Sequence, residues 1–242
     1  MTRAAPFLPP PRAICFDLFH TLVDVAGVPD HVGRDTADVL GVSREHWHRA
    51  CFGAGHEIRR PTDHYEVLRA LAHSIDPEIP LDRIEQAAAE RQARFDHALC
   101  QVPPSTLSAL SGLRRLGLPL ALVSNASTGE VRAWARSPLA AHFDVALFSC
   151  ECGHAKPEPG IYRLAAQRLG VAPRDCWFVG DGGSDEHAGA ASVDMLPIML
   201  TGFVASRLDA GEYARRRAGV RYEVAHPGAV LELARHLLEG RK

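Results

Sequence analysis

The chain has 242 residues, 46% of them hydrophobic and 23% charged, with a formal net charge of −2. That length supplies one large or two modest domains with a buried core, in the composition range of ordinary globular proteins. The near-neutral charge excludes a general attraction to nucleic acid or an anionic membrane, and no apolar stretch is long enough to span a bilayer.

Residues 1–11 carry one Arg and end in Pro9-Pro10-Pro11, so they lack a signal-peptide core and are expected to form a disordered tail. The apolar run Ala13–Phe16 then predicts a strand that breaks into Asp17-Leu18-Phe19-His20-Thr21. From 28 to 100 the texture is helical. Tyr65, Leu68 and Ala72 share one helical face, and Leu81, Ile84, Ala88, Phe95 and Leu99 share another, with a break at Pro77 and Pro80. Pro103-Pro104 marks the return to strand and helix alternation. Strands are predicted at Leu118–Val123, Val145–Phe148, Cys176–Val179 and Leu196–Leu200. Ile161, Leu164, Ala165 and Leu169 mark a helix between two of them, and 229–238 reads as a final packing helix.

This order predicts an α/β fold, a Rossmann-like parallel sheet with helices on both faces plus a helical cap. The core is expected to comprise 12–27 and 101–242, and the cap 28–100. An insert after the first strand is positioned to cover the carboxyl edge of the sheet as a lid. Gly27 and Gly53-x-Gly55 are either hinges for that lid or ordinary loop glycines.

The six Cys are scattered, and without a secretion signal they read as free thiols in a cytoplasmic protein. Cys150-Glu151-Cys152 with His154 gives only three candidate soft-metal ligands and no second cysteine pair, so zinc is not expected. Lysine usage is more informative. Only Lys156 and Lys242 interrupt a chain that otherwise uses Arg. A compact ammonium can contact a carboxylate and an anionic substrate together, which a guanidinium fork does less well.

Two predicted strands end in carboxylates, Asp17 and the Gly180-Asp181-Gly182-Gly183-Ser184-Asp185 loop. In an open parallel sheet that edge is where sites are built. Carboxylates there can ligate a hard cation such as Mg²⁺ or attack an electrophile. Each feature alone has an ordinary explanation. Asp17 and Asp181 serve equally as turn residues, and Ser124-Asn125 as the start of a helix over 128–135.

Taken together and in order, Asp17-x-Phe19-x-Thr21, Ser124-Asn125, Lys156-Pro157 and Gly180-Asp181-x-x-x-Asp185 resemble the haloacid dehalogenase-like hydrolase superfamily. The closest resemblance is to members with a small helical cap after the first strand. The likeness runs from about Arg12 to Leu238. It implies Asp17 as the nucleophile that takes a phosphoryl group, and Ser124 and Asn125 as ligands of its oxygens. Lys156 would neutralise both nucleophile and transferring group. Mg²⁺ would be held by Asp17, the backbone carbonyl of Phe19 and Asp181, with Asp185 acting through water or by orienting Lys156. The implied activity is Mg²⁺-dependent hydrolysis of a small phosphorylated metabolite.

Phe19 departs from the phosphatase pattern, which carries a second Asp there as general acid and base. A replacement acid would be His20, His142 or His154. Phe19 also suits a 2-haloacid dehalogenase, although Asp181 beside Asp185 is better explained by a metal. A phosphate-ester-binding module without turnover is a third reading. A phosphonate-cleaving relative would need a cap lysine, and none precedes Lys156. Within the insert, Arg59-Arg60-Pro61-Thr62 is a basic turn whose Arg60 is positioned for a second substrate anion, or is a solvated helix-end charge. Trp47 reads as core.

Overall fold

The structure is a computed structural model that describes residues 8–52 and 58–240. Six parallel strands form one sheet: β1 (Ala13–Phe16), β2 (Leu120–Ser124), β3 (Val145–Phe148), β4 (Cys176–Gly180), β5 (Leu196–Leu200) and β6 (Tyr222–Val224). Their spatial order is β3-β2-β1-β4-β5-β6, with β1 in register against both β2 (Ile14 to Leu120) and β4 (Ile14 to Trp177). Strand order therefore reverses at β1. The crevice at the carboxyl ends of β1, β2 and β4 is the switch point where such sheets place ligands.

The central strands are continuous apolar runs because both faces are covered. Ile14, Phe16, Leu120, Leu122, Trp177 and Val179 point into one core layer. Ala13, Cys15, Ala121, Val123, Cys176 and Phe178 point into the other. The first layer takes α5 (Pro104–Arg115) and α10 (Pro227–Glu239); the second takes α7 (Pro159–Leu169) and α8 (Glu186–Ala191). Two short helices complete this part, α6 (Ser149–Cys152) after β3 and α9 (Ala210–Arg217) between β5 and β6.

Between β1 and β2 lie α1 (Thr36–Leu40), α2 (Arg44–Phe52), α3 (His64–Ile75) and α4 (Leu81–Cys100). They pack round their own apolar cluster, including Leu40, Trp47, Leu68, Leu71 and Ile84. Asp35 and Asp63 cap α1 and α3 through their side chains. Among the described residues no helix is long and apolar enough to cross a membrane.

Several local expectations need correction. The tail does not extend to residue 11: Leu8 is buried, and the Trp177 indole donates to the Pro9 carbonyl at 3.1 Å. Residues 1–7 and Gly53-x-Gly55 lie outside the described residues. The expected helix over 128–135 is instead a chain of turns ending in a 3₁₀ turn at Trp134–Arg136. Glu130 accepts from the Ser127 amide there, and Gly129 packs so closely on His64 that a Cβ would lie 2.3 Å from its Nδ1. The predicted strand at 118–123 begins two residues later, because Gly117, at φ 78°, turns the chain before Pro119. Strand β6 was not anticipated.

Candidate active site

Asp17 follows β1 directly, and its amide donates to the Val179 carbonyl of β4 at 2.9 Å. Extending the ladder one residue beyond the strand fixes the start of the side chain at the crevice. Both carboxylate oxygens have donors: Lys156 Nζ reaches Oδ1 at 2.5 Å and Thr21 Oγ1 reaches Oδ2 at 2.8 Å. Thr21 sits in a tight turn closed by the Leu18 and Val23 carbonyls, with His20 at φ 63°.

Lys156 is buried, its side chain 4% exposed, and also donates to Glu186 Oε2 at 2.6 Å. Its backbone is held from β2. Asn125 Nδ2 donates to the Lys156 carbonyl at 2.9 Å and the Lys156 amide donates to Asn125 Oδ1 at 2.7 Å, next to a cis Lys156–Pro157 peptide. Burial alone would lower the Lys156 pKa, but the Asp17 and Glu186 carboxylates raise it well above the usual lysine range.

Glu186 opens α8 and is buried. Its Oε1 accepts from the Gly182 amide at 2.8 Å, and the Tyr162 hydroxyl donates to its carbonyl at 2.8 Å. A Cβ at Gly180 would lie 2.1 Å from Glu186 Oε1, so a side chain there would displace that carboxyl group. Burial raises the Glu186 carboxyl above the usual carboxylate range; Lys156 opposes this, while Asp17 and Asp181 add like charge.

Asp181 lies just past β4. Its Oδ1 accepts from the Gly183 amide at 3.0 Å, and its Oδ2 is held by the Arg216 guanidinium of α9. Among the described residues, Asp17, Asp181 and Glu186 bring one carboxylate oxygen each within 4.8 Å of one another. This all-oxygen donor set suits a hard divalent cation such as Mg²⁺, and one oxygen of Asp181 is shared with Arg216. Ser124, at the end of β2, is fully buried, and among the described residues its Oγ is the only buried side-chain nitrogen or oxygen without a hydrogen-bond partner. A buried hydroxyl left so in a polar crevice suits a ligand oxygen.

Two sequence assignments do not meet in this cluster. Asp185 turns away: Ser184 and Asp185 adopt left-handed backbone (φ 54° and 48°), and the Asp185 side chain, 65% exposed, pairs with Arg215. Glu186 takes the place beside Lys156 that Asp185 was expected to fill. His142 lies at the opposite, amino edge of the sheet, just before β3, where its carbonyl accepts from Arg114. It is therefore no candidate acid. The Phe19 ring packs edge-on against Phe95 of α4, centroids 5.1 Å apart. Arg60 sits on an exposed turn whose neighbours dock on core loops: Arg59 pairs with Glu158 at 2.5 Å and the Thr62 amide donates to Thr128 Oγ1 at 3.2 Å.

Glu186, Arg216 and Tyr162 were missed by the sequence reading. The adjacent acids Asp185-Glu186 gave a signal for the first. Nothing in the local pattern of 210–217 distinguished Arg216 from its two neighbouring arginines.

A family model described as haloacid dehalogenase-like hydrolase matches residues 11–192. The phosphoserine phosphatase of Thermus thermophilus is 31% identical over 199 residues, covering 76% of this chain and 78% of that protein. The phosphoglycolate phosphatase of Escherichia coli is 30% identical over 198 residues, covering 75% and 78%. Among solved structures, a dehalogenase superposes with a TM-score of 0.68 at 20% identity, covering 94% of this chain and 98% of that one. At that identity the likeness concerns the fold.

Proposed function

The chain belongs to the haloacid dehalogenase-like hydrolases, and on that premise we propose that it is a Mg²⁺-dependent phosphatase of a small phosphorylated metabolite, working through an aspartyl-phosphate on Asp17. The observation that carries this reading is the buried Asp17–Lys156 contact at 2.5 Å beside the unpartnered Ser124 hydroxyl. Asp17, Asp181 and Glu186, with the Phe19 carbonyl, would hold the metal. When bound, Mg²⁺ screens the repulsion between a carboxylate and an anionic phosphoryl group.

In this reading an Asp17 oxygen forms a bond to phosphorus as the ester oxygen leaves, and water then releases phosphate from the acyl phosphate. Lys156 holds Asp17 Oδ1 and offsets charge on the phosphoryl oxygens. Ser124 Oγ and the Asn125 segment bind those oxygens. Phe19 cannot donate a proton to the leaving group, so esters with good leaving groups are expected to turn over fastest. The helical insert would choose the substrate, with Arg60 toward a second anionic group, and a cytoplasmic location belongs to the same reading.

The haloacid dehalogenase alternative is set behind this one. The relatives at 30% and 31% identity carry phosphatase names, whereas the dehalogenase structure at 20% identity bears on fold only. The test is phosphate release from an aryl phosphate with Mg²⁺, set beside halide release from 2-chloropropionate in EDTA. Phosphate release abolished by EDTA supports the phosphatase; halide release in EDTA would overturn it.

A further inference from the structure

Helix α9 has eight residues and none of them is buried. An element that buries no apolar side chain is held by polar contacts, and exposed ion pairs hold weakly. Those contacts converge on the loop after β4. Arg215 pairs with Asp185, Arg216 with Asp181, and His187 approaches the Arg216 carbonyl at 3.3 Å. A Cβ on Gly182 would lie 2.8 Å from Arg216 Cβ, so the helix rests directly on the loop backbone. Arg217 and Tyr213 reach Glu223 on β6 at 2.9 and 2.6 Å.

Arg216 differs from its neighbours. Its side chain is only 14% exposed, against 50% for Arg215 and 60% for Arg217. Glu212, one turn earlier, holds its Nε at 2.8 Å and aims Nη1 at Asp181 Oδ2. The guanidinium thus sits at the rim of the Asp17, Asp181 and Glu186 cluster, on one of the carboxylates that a divalent ion would use.

We propose that Arg216 is a latch on the metal site: its guanidinium competes with the divalent cation for Asp181, and cation binding releases it and loosens α9. The inference rests on the metal-site reading given above. A cation of charge two entering the cluster repels a guanidinium held a few ångströms away in a partly buried setting. Arg216 has an alternative, because Glu212 keeps it paired after it leaves Asp181. Helix α9 has no apolar anchor to resist the movement.

The test measures Mn²⁺ binding by electron paramagnetic resonance, without substrate, in the wild type, Arg216→Met and Asp181→Asn. Methionine keeps much of the arginine stem while removing the charge. Arg216→Met is expected to bind Mn²⁺ at least tenfold more tightly than the wild type, and Asp181→Asn at least tenfold more weakly. Hydrogen exchange of amides 210–217 in the wild type is expected to accelerate when Mn²⁺ is added, a readout that does not depend on any variant folding. Equal or weaker Mn²⁺ binding by Arg216→Met, or unchanged exchange in α9, overturns the latch. If Asp181→Asn binds as well as the wild type, the metal-site reading fails and the latch fails with it.

Discussion

Lys156 Nζ lies 2.5 Å from Asp17 Oδ1 although 139 positions separate the two residues in the chain. Both are buried, and Glu186 shares the same ammonium at 2.6 Å. A buried cation between two carboxylates is held in place by both, and removing it leaves two buried acids without a counter-charge. The chemistry and the stability of this protein are therefore coupled at one nitrogen atom.

Substituting that atom makes the coupling measurable. Lys156→Met should abolish phosphate release and destabilise the fold by about 3–5 kcal/mol, since it strands Asp17 and Glu186. Lys156→Arg should not restore activity, because a planar fork cannot occupy the space of a compact ammonium. Urea unfolding beside an activity assay checks both. A stable, active methionine variant would contradict this assignment.

The loop after β4 gives a contrast between adjacent acids. Glu186→Gln should reduce Mn²⁺ affinity and turnover at least tenfold, as it weakens both the Lys156 contact and the acidic cluster. Asp185→Asn touches only an exposed pair with Arg215 and should change turnover by less than about twofold. Parallel kinetics of the two variants decide which acid belongs to the site. Equal losses would return Asp185 to it.

That contrast shows where legibility stopped. Asp17 and Asp181 could be placed because an uninterrupted apolar strand ends at each, and a parallel sheet puts such ends on one edge. The choice between Asp185 and Glu186 could not be made in the same way. It depends on two left-handed residues, Ser184 and Asp185, that rotate one acid outward and the next inward. Neither is glycine, so composition gave no warning. Strand β6 was hidden because it has three residues and none is fully buried, leaving no apolar run to detect. Arg216 reaches Asp181 across 35 positions, and no local pattern encodes such a contact.

Phe19 offers a gain-of-function test. Phe19→Asp should raise phosphatase turnover at least tenfold if a missing general acid limits the rate. It should also lower stability by about 1 kcal/mol or more, through loss of the edge-on contact with Phe95. Turnover of an alkyl phosphate and thermal unfolding report the two effects separately. An unchanged rate would mean that another group already supplies the proton.

Stability should also depend on acid pH through Asp24. Burial opposes its ionisation, but His20 and a two-pronged contact from Arg207, at 2.6 and 2.7 Å, bring its pKa well below the usual carboxylate range. A depressed native pKa stabilises the fold above the unfolded value of about 4, and the contribution is lost as pH falls through the native value. Asp24→Asn should cost about 1 kcal/mol or less at neutral pH, because the pair is partly exposed. Thermal unfolding curves of wild type and variant should converge as pH drops below about 4. Curves that stay parallel would remove Asp24 from the account.

The most direct test of the whole proposal is the covalent fate of Asp17. The enzyme turning over an aryl phosphate with Mg²⁺ is quenched in acid and reduced with borohydride, which converts an aspartyl-phosphate to homoserine; the peptide containing residue 17 is then sequenced by mass spectrometry. Homoserine is expected at position 17 only when both Mg²⁺ and substrate were present, and none in Asp17→Asn. Steady phosphate release with Asp17 unmodified, or with the mark on another residue, would contradict it.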